Sequence, residues 1–110
     1  MERYRETNMI EIAERINRIL EEIAQVTDML YQQKLNEGYE KLNGTLTNLI
    51  NVTEKIFEYK QHNSITFDEN KFIGGLSQAM NAMELKDSVL LADILLFEIA
   101  KQLKDMLAQI

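Results

Sequence analysis

Between Val89 and Ile110, apolar residues recur at Val89, Ala92, Leu96, Ile99, Leu103, Met106 and Ile110. The steps alternate between three and four, which is how one face of a packed α-helix reads. A second group, Leu90, Ile94 and Phe97, lies well off that stripe, roughly 140° from its centre at 3.6 residues per turn. A helix that is apolar on two sides needs neighbours on two sides, within its own bundle or on another molecule. This constraint outweighs any other in the chain. It calls for an all-α fold with the last helix in a central place or at an interface.

The rest of the sequence supplies the other helices. Met9 to Gln32 carries Ile12, Ile16, Ile19, Ile23, Val26 and Leu30 in the same alternating step. Ala13, Leu20 and Thr27 widen that stripe to a bundle-type face. Asn8 and Glu11 have the spacing of a capping box at its start. The phase fails at Gln33 and Lys34, which marks a turn. A second face, from Leu35 or Tyr39 through Leu42, Leu46, Leu49, Ile50, Thr53, Ile56 and Phe57, keeps its phase across Asn43-Gly44. Asn-Gly is ordinarily a turn signal. Here the phase favours one continuous helix with Gly44 turned away from the core.

Gln61 to Thr66 is polar and reads as the longest loop. The next helix starts near Phe67 or Asp68, with Thr66 or Asp68 as its cap. Its face comprises Phe72, Leu76, Ala79, Met80 and Met83, beside a strip of small residues at Gly75, Ala79 and Ala82. Glycine inside a helix costs about 1 kcal/mol relative to alanine, and close helix approach at Gly75 would justify it. Leu85 to Asp87 is a tight turn, and Asp87 or Ser88 caps the last helix. Helices are thus predicted over about residues 9–32, 36–61, 67–84 and 88–109 of a single domain spanning 1–110. Short connections favour antiparallel neighbours. The expected architecture is an antiparallel up-down four-helix bundle, with a three-helix core sharing a helix in a dimer as the alternative.

Composition fits this reading and narrows the function. Of 110 residues 45% are hydrophobic, proline is absent and glycine occurs four times, which suits long helices. A net charge of −6 without a basic cluster argues against nucleic acid, whose phosphates need Lys and Arg, and against anionic membrane surfaces. The charged start Met1-Glu2-Arg3-Tyr4-Arg5-Glu6 does not read as a signal peptide. No run approaches 18 apolar residues. A cytoplasmic location is expected. With no cysteine and one histidine, His62, thiol chemistry and the usual metal-ligand sets are not expected. Neither a phosphate-binding loop nor a nucleophile elbow occurs. No catalytic residue, cofactor, metal or small-molecule substrate is predicted.

The candidate functional surface is therefore a protein interface. Glu11, Glu14, Arg15, Arg18, Glu21 and Glu22 read as a solvated, mixed-charge helix back. Met29, Met80, Met83 and Met106 offer the residue type of an adaptable groove, though such residues also fill cores. Leu90, Ile94 and Phe97 form the second apolar ridge, and Asp93 borders it. A carboxylate among apolar neighbours needs a Lys, Arg or hydroxyl partner. These four residues are the predicted contact surface, for a protein partner or a second copy of the chain.

The stretch Lys86-Asp87-Ser88-Val89-Leu90-Leu91-Ala92-Asp93-Ile94-Leu95-Leu96-Phe97-Glu98 resembles the final helix of small bacterial helical proteins associated with flagellar gene neighbourhoods and with the flagellin-export chaperone family FliS. That resemblance implies a four- or five-helix bundle that holds the C-terminal segment of an export substrate. It is sharpest over these residues and diffuse elsewhere. The family's tyrosine-bearing motif is not found around Tyr4, and its Gly-Gly-Glu signature is not reproduced at Gly74-Gly75-Leu76. No binding residue is carried over. The expectation is a non-enzymatic, chaperone- or adaptor-like protein-binding module with a flagellar association. The alternative is a homo-oligomeric structural or regulatory protein without a client.

Overall fold

The computed structural model describes the backbone of residues 2–110 and the side chains from residue 8 onward. The side chain of Tyr4 lies outside the described set. Four helices follow in order: α1 (Glu2–Tyr31), α2 (Leu35–His62), α3 (Glu69–Glu84) and α4. The last is continuous in three segments, an α-helix Ser88–Ile94, a π-helical turn Leu95–Ile99 and an α-helix Ala100–Leu107. No strand occurs among the described residues.

Helix α1 begins seven residues before the expected start, so Asn8 lies inside it and does not cap it. Its stripe is otherwise as read: Ile12, Ile16, Ile19, Ile23, Val26 and Leu30 are all buried. Helix α2 runs unbroken through Gly44, where an added Cβ would meet nothing within 4 Å. Ile50, expected on the α2 core face, is exposed. Lys55 and Asn48 reach back to α1: Lys55 pairs with Glu11 at 3.3 Å, and Asn48 donates to both oxygens of Glu22 at 3.2 and 3.1 Å. Glu11 and Glu22 are thus tied to α2 and are more than a solvated back. These pairs, with Gly38 beside Leu30, set α1 and α2 antiparallel.

The two tight turns share one device. Gln33 and Lys86 each adopt a positive φ, 61° and 56°. In each turn the following residue donates back over five residues, Lys34 to Met29 and Asp87 to Ala82, while Gln33 and Lys86 donate to Leu30 and Met83. This is the Schellman closure of a helix end, here without its usual glycine. Asp68 caps α3 by accepting from the Lys71 amide at 3.0 Å, and Thr66 does not. Thr66 instead donates its backbone N–H to the side-chain Oε1 of Gln109, beyond α4, and accepts from Gln109 Nε2 at its carbonyl, each at 2.6 Å. That clasp fixes the α2–α3 loop to the far end of the chain. Phe67 is buried in the loop, tilted against Phe57 and Phe72 with centroids 6.2 and 5.2 Å away.

Helix α1 packs on α2 and α4, and α3 packs mainly on α4. The result is an antiparallel up-down four-helix bundle in which α4 is buried on two sides. Gly75 faces α4, where an added Cβ would stand 3.0 Å from Ile99 Cδ1, whereas Gly74 faces open space.

The observed core of α4 differs from the expected stripe. Leu91, Ala92, Ile94, Leu95, Ile99, Ala100, Leu103 and Met106 are buried, while Val89 is 49% exposed. Leu91, Leu95, Ile99 and Leu103 recur in steps of four. On a straight α-helix each such step overshoots a full turn by about 40°. The π turn at Leu95–Ile99, with its i→i+5 bonding from Ala100 N–H to the Leu95 carbonyl, holds an extra residue and takes up that drift.

A candidate protein-docking groove between α3 and α4

The same turn shapes the surface beside the core. The N-terminal half of α4 is set by Asp87, whose carboxylate accepts from the Leu90 amide at 3.0 Å. From there Leu90, Asp93, Ile94, Phe97 and Glu98 form one wall of a cleft of about 430 Å³. Gln78, Asn81, Ala82 and Leu85 of α3 and its following turn form the other wall. All four residues predicted as a contact surface therefore line one groove.

They do not play equal parts. Leu90 is 43% exposed and Phe97 64% exposed, so these two present apolar surface to the outside. Ile94 is only 7% exposed. It forms the floor and belongs to the core, a correction to its reading as a free ridge residue. The reason is that α4 has α1 and α3 on two sides, so part of its second apolar ridge is consumed within the bundle. Leu85, exposed more than any other large apolar residue described, stands on the opposite wall and was not foreseen. A leucine in a turn has no periodicity to betray it.

Asp93 has the hydroxyl partner that its surroundings demand. The Tyr31 hydroxyl, at the end of α1, donates to its Oδ1. This bond raises the Tyr31 phenol above its ordinary titration range, because a phenolate would face the carboxylate, and partial desolvation adds to the effect. Sequence reasoning asked for a hydroxyl, Lys or Arg without identifying Tyr31, which lies 62 residues away in the chain. Glu98 lies close over Gly75, its Oε2 3.6 Å from where a Cβ would stand. Behind it, the buried Gln102 amide nitrogen has no hydrogen-bond partner among the described residues.

Other candidates disperse. Met106 is fully buried, Met80 is exposed, and no described methionine lines the groove. His62 ends α2. Among the described residues no three His, Cys, Asp or Glu side chains converge as a metal site, and no described helix is long and apolar enough to cross a membrane.

A family model described as a domain of unknown function, DUF8042, matches residues 7–109, and the chain belongs to that family. No curated protein and no solved structure matches it.

Proposed function

We propose that this DUF8042 protein is a non-enzymatic protein-binding module, chaperone- or adaptor-like, whose docking surface is the α3–α4 groove. The observation that carries the reading is the outward exposure of Leu90 and Phe97 along a cleft floored by Ile94. Large apolar groups clustered in a concave surface mark interaction sites more often than isolated ones do. The cleft is apolar in its floor, and its polar groups, Asp93, Glu98, Gln78 and Asn81, sit where they would orient a ligand. A helix laid into a groove between two helices is a recurrent recognition mode. The resemblance of Lys86–Glu98 to the last helix of the flagellin-export chaperones supports a flagellar role in the cytoplasm.

The test is Phe97→Asp. Phe97 is exposed, so the fold is expected to survive with its helical signal and melting temperature nearly intact. Capture of a protein partner from the native host, or self-association by light scattering, should be lost. A Phe97→Asp protein that unfolds, from a wild type that is monomeric and binds nothing, would refute the reading.

A further inference from the structure

We propose that the α3–α4 groove receives a basic amphipathic helix of a partner protein, with apolar anchors between Leu85 and Phe97 and Lys or Arg side chains reaching Asp93 and Glu98. This rests on the groove being a protein-docking surface, and it adds the chemistry of the occupant. Among the described residues, the charged side chains lining the groove are Asp93 and Glu98, both acidic, and no basic one lines it. Among the described residues neither carboxylate is in an ion pair. Tyr31 occupies one oxygen of Asp93, while its other oxygen and the Glu98 carboxylate are left for a ligand.

The π turn brings the two acids together. On a straight α-helix the five-residue step from 93 to 98 would part them by about 140°. The extra residue held between Leu95 and Ile99 narrows that angle, and both residues line one groove. Single π turns inside α-helices occur frequently at functional sites. From Leu90 to Glu98 the wall extends about 12 Å along the helix axis, which two to three turns of a partner helix would cover. A second copy of this chain fits poorly. A two-fold pairing through the groove would set Asp93 and Glu98 of one copy against those of the other, and like charges suppress association.

The experiment is selection of displayed helical peptides on the full chain. Leucine is fixed at the a and d positions of the peptides, and the other positions are drawn from Lys, Glu, Gln and Ala. Selections are run on wild type, on Glu98→Lys and, as background, on Phe97→Asp, with the melting curve of each protein recorded. On wild type, lysine should be enriched severalfold beside the leucine stripe. On Glu98→Lys that preference should fall to neutral or turn to glutamate. A selected lysine peptide should bind wild type at least tenfold more tightly than Glu98→Lys, with affinity falling as salt rises. Phe97-dependent binders of neutral or acidic character would overturn the basic-helix inference and leave the docking surface standing. A Phe97-dependent dimer with no peptide enrichment would overturn it in favour of a second copy. Absence of any Phe97-dependent binding would overturn both it and the docking reading.

Discussion

At the scale of single residues, the adjacent glycines of α3 show how position decides cost. A Cβ on Gly75 would stand 3.0 Å from Ile99 Cδ1 and 3.6 Å from Glu98 Oε2, while one on Gly74 would meet nothing. Gly75→Leu is therefore expected to destabilise by about 1–3 kcal/mol through overpacking. Gly74→Ala should stabilise by up to about 1 kcal/mol, since it removes glycine's helix penalty at no steric cost. Denaturant titration of both variants checks this, and equal effects would refute the opposed facings. Tyr31 gives a second residue-level expectation. Its phenol titrates above the ordinary value of 10.0, chiefly because it donates to Asp93. A proton held more tightly when folded than when unfolded stabilises below the unfolded pKa, and the effect is lost as pH rises through the folded one. The Tyr31–Asp93 bond should therefore support folding at neutral pH and weaken above about pH 10. Tyr31→Phe should lower the melting temperature at neutral pH and narrow its gap to wild type as pH climbs past that range. A gap that stays constant or widens with alkalinity would count against the bond.

At the scale of elements, α4 carries one residue more than a regular α-helix would hold. Its core residues Leu91, Leu95, Ile99, Leu103 and Met106 are spaced 4, 4, 4 and 3. Removing one residue within the π turn would space them 4, 3, 4 and 3, the regular helical alternation. Deletion of the exposed Phe97 should therefore yield an uninterrupted α-helix, keep the core in register and abolish the groove wall. Deletion of the exposed Arg18 from α1 is the contrast. It would rotate every later α1 side chain by about 100°, and the protein should fail to fold. Circular dichroism and thermal melting of the two deletions separate these outcomes. Comparable damage from both would show that the π turn is needed for stability. An extra residue retained in a helix that would pack without it is consistent with a surface role, and Phe97 and Glu98 are what it presents.

For the whole molecule, stability comes from apolar helix faces closed by tight turns. The core extends through all four helices, from Ile12 and Ile16 in α1 to Leu103 and Met106 in α4. The chain should unfold in a single cooperative transition, and its helical signal should be unchanged by a chelator. A large loss of helix on chelation would overturn that expectation. Much of this architecture was legible beforehand because a helix's buried face repeats along the chain. That repetition placed the α1 stripe, the continuity of α2 through Gly44, the inward facing of Gly75 and the antiparallel bundle. It also singled out Leu90, Asp93, Ile94 and Phe97, since apolar residues on two sides of α4 are visible in one dimension. Other features depended on which helices meet. Periodicity assigned Val89 to the core and left out Leu91 and Leu95, because a wheel drawn at a constant 100° cannot contain a π turn, although the run of four-residue steps was its trace. The hydrogen bond from Tyr31 to Asp93, the Thr66–Gln109 clasp, and the opposing wall of Gln78, Asn81 and Leu85 join segments far apart in sequence. Local pattern determines which face a helix buries. Only tertiary packing determines what stands opposite that face, how much of it is covered, and so which of its residues remain free to bind.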